Sequence, residues 1–279
     1  MKTLILIMAA VLVVLVVAAM LLPKWLPAVE QPPVTLPAES ITPTESVPDT
    51  SIGPTQPVLQ NNPYVPADFN MRDGYMSCVK GNYQIGIDVS KYQQNVDWQK
   101  VADSGITFVI IRIGGRGYGQ SGALYVDDMA QSHYEGAKAA GLQVGAYFFS
   151  QAISVEEARE EARYALQLTA QWELDMPIVF DWEYVSNTAR TANTDALTVT
   201  ACAAAFCEEI LAADKKAMIY VRPELEKLNL EALAAYDHWV AWYSDTMDYP
   251  NAFQMWQYTK TGKLPGISGN VDINLYLLP

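Results

Sequence analysis

From Ile85 onward the chain alternates short, continuously apolar runs with stretches of helical periodicity, and this pattern restricts the fold more than any other feature. The apolar runs are "IGIDVS" (85–90), "FVIIRIG" (108–114), "LQVGAYFF" (142–149), "MPIVFDWE" (176–183), "KAMIYV" (216–221), "HWVAWYS" (238–244), "FQMWQYT" (253–259) and "VDINLY" (271–276). Between them, helices are predicted over Asp97 to Ala102, Asp127 to Ala140, Ser154 to Trp172 and residues 195–213. Gly141 supplies a C-cap for the second, and Ser154 with Glu157 a capping box for the third. A strand that is apolar on both faces must be covered on both, so the sheet is parallel and flanked by helices. The last three runs leave little room for helices. The fold class is therefore α/β, a closed TIM-like barrel whose final crossovers have lost their helices. An open doubly wound sheet is the alternative. "GGRGYG" (114–119) follows a strand but opens no helix, so it is a weak nucleotide signal.

The N-terminal part cannot belong to that barrel. Leu4 to Leu22 is an uninterrupted apolar run flanked by Lys2 and Lys24, and it ends in Met20-Leu21-Leu22-Pro23, a poor cleavage signal. At about 1.5 Å per residue it nearly crosses a bilayer core. It is read as a single transmembrane anchor over residues 1–26, with a cleaved signal peptide as the alternative; either places the remainder outside the cell. Residues 27–69 form the next segment. Pro27 to Pro66 contains ten prolines and neither Lys nor Arg, a composition that opposes folding and suits a semi-extended, disordered spacer. The catalytic domain is expected over 70–279, with "YMSC" (75–78) packed under the barrel.

A net charge of −13 argues against a nucleic-acid partner, because phosphate binding needs clustered Lys and Arg. Three cysteines, Cys78, Cys202 and Cys207, make no disulfide framework and are expected to be packing residues. His133 and His238 stand apart from any ligand spacing, so neither a metal nor another cofactor is expected. There is no GxSxG elbow. Nothing in the chain calls for an oligomer, and a monomer is expected.

Carboxylates carry the chemistry that remains. In "PIVFDWEYV" (177–185) a buried run ends in Asp181 and Glu183. Residues i and i+2 of a strand face the same side, so the two point together, about 6.6 Å apart at Cα. Asp88 ends the first run and Asp272 lies in the last. Carboxyl ends of barrel strands form the active site in such folds. A single Asp there is commonly only a cap or turn residue; several converging on one mouth, beside Tyr and Trp faces, suit glycoside hydrolysis.

The residues then become recognisable. "GIDVSKYQQNVDW" (86–98), "FVIIRIGGRGYG" (108–119), "GLQVGAYFFSQAISVEEAREEA" (141–162), "PIVFDWE" (177–183), "WVAWYS" (239–244), "MWQYT" (255–259) and "GISGNVDINLY" (266–276) occur in order. Over this span the chain resembles the glycoside hydrolase family 25 lysozymes, the Chalaropsis-type N-acetylmuramidases. The resemblance implies a distorted (β/α)5(β)3 barrel. It implies hydrolysis of the β-1,4 bond between N-acetylmuramic acid and N-acetylglucosamine in peptidoglycan glycan strands. It puts the general acid on Glu183, with Asp88, Asp181 and Asp272 supporting, and substrate contacts on Tyr147, Trp242, Tyr92 and Trp256. One departure is expected to shift substrate preference: many members carry His where this chain has Phe148. A general acid must hold a proton, and clustered carboxylates oppose one another's ionisation. Whether a second carboxylate acts as nucleophile or base, or the substrate's acetamido group attacks, stays open. A non-catalytic glycan-binding module on the same scaffold is the competing class; the full carboxylate set favours an enzyme.

Overall fold

The computed structural model describes residues 57–278. The apolar run Leu4 to Leu22 and most of the proline-rich stretch lie outside these described residues. Among the described residues no helix is long and apolar enough to cross a membrane.

In chain order the elements are β1 (Phe69–Arg72), β2 (Tyr75–Cys78), β3 (Tyr83–Val89), α1 (Trp98–Asp103), β4 (Phe108–Arg116), β5 (Leu124–Val126), α2 (Ala130–Ala139) and β6 (Gln143–Ser150). There follow α3 (Val155–Leu168), β7 (Ile178–Trp182), α4 (Ala196–Ala212), β8 (Ala217–Val221), β9 (Asp237–Ala241), β10 (Met255–Gly262) and β11 (Val271–Leu277). Strands β3, β4, β6, β7, β8, β9 and β10 pair in parallel in that order. β11 runs antiparallel between β10 and β3 and closes the ring. β5 is an antiparallel addition to β4. The expected barrel is therefore present, with every apolar run in it.

Local chemistry explains the helix limits. Asp97, Ser154 and Asp195 each accept a backbone N–H three residues on, capping α1, α3 and α4. α2 starts at Ala130 rather than Asp127 because Asp127 is engaged elsewhere: one carboxylate oxygen accepts from Met129 N, the other from the Arg112 side chain. The fifth crossover, between β8 and β9, has a single 3-10 turn at Pro223–Leu225 where a helix was implied. Pro223 opens that turn and Glu226, with φ of 50°, ends it in the left-handed region.

Two apolar layers follow from the period-2 alternation of buried strands. Outward side chains such as Ile87, Ile111, Phe148, Phe180 and Ile219 pack against the helices, with Cys202 and Phe206 of α4. Inward ones, Phe108, Ile110, Val179, Met218, Trp239 and Met255, fill the lower barrel. Gly86 is required there, since a Cβ would sit 2.4 Å from the Phe108 ring. All three cysteines are buried, as packing residues should be. Burial pushes the Cys202 thiol up to about 12.

The spacer reading needs a boundary correction. Asn61 forms a β-bridge with Asn251, Asn62 N–H donates to Pro250 O, and Lys80 Nζ donates to Pro63 O. Phe69 is 5% exposed, with its ring 5.3 Å from that of Trp256. The packed body thus takes in residues assigned from sequence to the end of the spacer, because Tyr64 and Phe69 supply apolar surface that the prolines around them lack.

Candidate active site

Reading up each strand on the inward face, apolar residues give way to polar ones at the carboxyl end. Val179 is followed by Asp181 and Glu183, Met218 by Tyr220 and Arg222, Met255 by Gln257, and Phe108 and Ile110 by Arg112. On antiparallel β11 the order is reversed, so Asp272 and Asn274 come before Tyr276. The predicted i, i+2 relation of Asp181 and Glu183 holds: both line one cavity with Asp88, Asp272 and Tyr147. That cavity, of about 240 Å³, shares these five residues with an adjoining cleft of about 630 Å³ that also takes in Tyr92, Tyr118 and Arg112.

Asp88 and Asp272 are directly opposed in the β3–β11 register. Asp88 Oδ2 accepts from Gln257 Nε2 at 2.8 Å and from Asn274 Nδ2 at 2.9 Å. Both amides are locked in that orientation. Gln257 Oε1 takes the hydroxyls of Tyr220 and Tyr243, at 2.7 and 2.8 Å, and Asn274 Oδ1 takes the indole N–H of Trp239 at 2.8 Å. An indole N–H only donates, so Asn274 must turn its oxygen to Trp239 and its N–H groups to Asp88. Burial and then the Asp272 charge nonetheless push the Asp88 carboxyl well above the usual range. Asp272 is raised to about 6, by desolvation first and by the Glu183 charge, while the Asp88 contact and Lys260 oppose the rise.

Asp181 is 4% exposed, and its Oδ1 has no hydrogen-bond partner among the described residues. Burial, then Glu183 and Asp88, push its carboxyl up; Arg112 and Arg222 pull the other way. Glu183 stands further out. Its Oε2 accepts from Arg222 Nη1 at 2.7 Å, and its Oε1 takes no hydrogen bond among the described residues. Arg222 is held in turn by Glu224, which accepts from both Nε and Nη2.

The structure sorts the expected aromatic contacts. Tyr147 lines the cavity, and Tyr92 lines the adjoining cleft, where its ring lies 5.2 Å from the Arg112 guanidinium. Trp256 is fully buried and points outward, packed on Phe69 and Tyr258. Trp242 also misses the cavity: it lines a separate groove beyond Arg222 and donates to Asp248. Both follow from parity, since Gln257 and Tyr243 take the inward positions beside them. Phe148 likewise faces the helices, packing on Tyr164 and Phe206, so the departure at this position does not reach the cavity. The residues that sequence reasoning missed are Arg112, Tyr220, Arg222, Trp239, Gln257, Lys260 and Asn274. For all but Lys260, which follows a register shift in β10, the signal was the same alternation that exposed Asp181 and Glu183.

The sequence model of "Glycosyl hydrolases family 25" matches residues 87–267. This chain belongs to that family. As a family 25 member it is a glycoside hydrolase on a family-typical barrel. The uncharacterised protein YegX of Escherichia coli K12 is 30% identical over 213 residues, 71% of each chain. Lysozyme M1 of Streptomyces globisporus is 27% identical over 203 residues, covering 68% of this chain and 67% of that one. The modular autolysin LytC of Streptococcus pneumoniae, solved in complex with a synthetic peptidoglycan ligand, superposes with a TM-score of 0.63 at 24% identity. That superposition covers 75% of this chain, which spans about half (52%) of the autolysin's length. The family 25 match contains Asp88, Asp181 and Glu183. Asp272 and the β1–β2 hairpin lie outside it.

Proposed function

We propose that this family 25 hydrolase is a peptidoglycan muramidase, cutting the β-1,4 bond between N-acetylmuramic acid and N-acetylglucosamine. The observation that carries the reading is the convergence of Asp88, Asp181, Glu183 and Asp272 on one cavity walled by Tyr147 and Tyr220. A lysozyme among the relatives, and an autolysin of the same fold solved with a peptidoglycan ligand, support the substrate class.

Glu183 suits the general acid. Its Oε2 is held by Arg222, and its Oε1, which takes no hydrogen bond among the described residues, is left to protonate the leaving oxygen. Asp181, buried with an unpartnered oxygen, is the group placed to meet positive charge developing on the sugar, or to orient the acetamido group beside it. Asp88 and Asp272, opposed across the β3–β11 pair, shape the floor. The sequence supports a tether as well: Leu4 to Leu22 as a membrane anchor, with the proline-rich stretch carrying the hydrolase outside the cell.

Digestion of purified peptidoglycan tests the reading. Borohydride reduction of the products followed by mass analysis should reveal reduced N-acetylmuramic acid. Reduced N-acetylglucosamine would make the enzyme a glucosaminidase, and no new reducing ends would overturn the activity.

A further inference from the structure

A second groove, of about 700 Å³, adjoins the catalytic cavity and shares Tyr243 and Lys260 with it. Its outer wall is the tip of the β1–β2 hairpin, which lies outside the residues matched to the family. That wall is preformed. The turn residues Asp73 and Gly74 have φ of 52° and 89°, the pair of positive values that a tight two-residue hairpin needs. Behind the tip, Met76 is fully buried and its N–H faces the Tyr258 hydroxyl at 3.4 Å, while Phe69 packs on Trp256. Ser77 Oγ donates across the hairpin to Asn70 O at 2.7 Å.

The lining carries charge of both signs. Lys260 and Lys263 stand on and just beyond the end of β10, Asp73 on the hairpin tip and Asp245 on the loop after β9, all exposed. A neutral sugar chain has no use for such a set. The aromatic face at the junction is also taken, because Lys260 Nζ lies over the Tyr243 ring at 4.9 Å. A short peptide with free carboxylates and an amino group matches both signs at once.

We propose that this groove binds the stem peptide of the glycan strand being cut, and that the β1–β2 hairpin exists in this chain to wall it. The proposal rests on the muramidase reading, since only a substrate with peptides on alternate sugars would place one there while its glycan lies against Glu183.

The test uses the protein carrying Asp73→Asn, Asp245→Asn and Lys263→Gln together. These are exposed side chains away from the carboxylate cluster, and Asn tolerates the backbone that Asp73 adopts. Initial rates are measured on peptidoglycan glycan chains bearing their peptides and on the same chains stripped by an amidase. The triple variant should raise KM about 10-fold on peptide-bearing chains, with kcat within about twofold, and change neither on stripped chains. An equal KM rise on both would mark a sugar subsite, and no change on either a passive groove; both overturn the proposal. If the unsubstituted protein cuts neither substrate, it is the muramidase reading that fails. The groove is then judged by titrating the ¹⁵N-labelled protein with free stem tetrapeptide containing a diamino acid. Saturable shifts at the hairpin tip, lost in the variant, support peptide binding; no shifts at millimolar peptide refute it.

Discussion

Replacing Asp272 by Asn removes one charge from a crowded mouth while keeping the side chain's shape. The folded protein holds the Asp272 proton to about pH 6, against 3.8 for the free side chain. A difference of one pH unit is about 1.4 kcal/mol, so ionising Asp272 in place costs at most about 3 kcal/mol, less what solvent screens at its partly exposed oxygens. Because the folded form binds that proton more tightly than the unfolded chain, the carboxyl adds stability fully below the unfolded value near 3.8. That contribution disappears as pH rises through about 6. Asp272→Asn should therefore change little near pH 4 and stabilise increasingly up to pH 8. At roughly 2–4 °C per kcal/mol for a domain of this size, the gain in Tm at pH 8 should reach at most about 6–12 °C. The same variant should lose on the order of 10²-fold or more in turnover, since the destabilising charge is part of the site. Thermal melts of both proteins across pH 4 to 8, paired with rates on peptidoglycan, decide the matter. A stability difference independent of pH, or a loss at pH 8, would refute the argument that burial and Glu183 strain this carboxylate.

Glu183→Gln keeps the shape of the acid and removes its proton; clearing of peptidoglycan should fall by about 10²–10⁴, and a rate near that of the unsubstituted protein would reassign the acid. Phe69→Ala should cost about 3–5 kcal/mol of unfolding free energy, and a chain begun at Asn70 should melt well below one begun at Pro57; equal melting would mean that residues 57–69 add nothing. Expressed full length in a bacterial host, the protein should stay with membranes through alkaline carbonate extraction, whereas a soluble extracellular product starting after residue 20 would show a cleaved signal instead.

The barrel was legible because strands buried on both faces leave apolar runs that few other structures explain. Each of those runs became a strand of the ring. The carboxylates were legible because acids at the end of such runs conflict with their surroundings. Arg112 and Arg222 were not, since a lone Arg at a strand end reads as a solvated side chain until its partner is known. Asp127 and Glu183 come from other strands and loops, and no spacing rule connects them. Trp242 and Trp256 were assigned to the substrate because the family resemblance carries aromatic contacts onto them. Which parity faces inward is set by neighbours, here by Gln257 meeting Asp88, and a single run of sequence does not contain that fact. The hairpin escaped notice because "FNMR" (69–72) has one buried residue and no apolar run.

Ring closure by β11 has a consequence for when the site becomes complete. Asp88 lies in the first strand of the ring and Asp272 in the last, so the two carboxylates oppose each other only once the strands between them are in place and the ring has closed. A chain clipped before β11 also lacks Asn274, and with it one of the two amides that hold Asp88. Such a chain is expected to be catalytically silent whatever else it folds. Closing the barrel and assembling the carboxylate cluster are therefore one event.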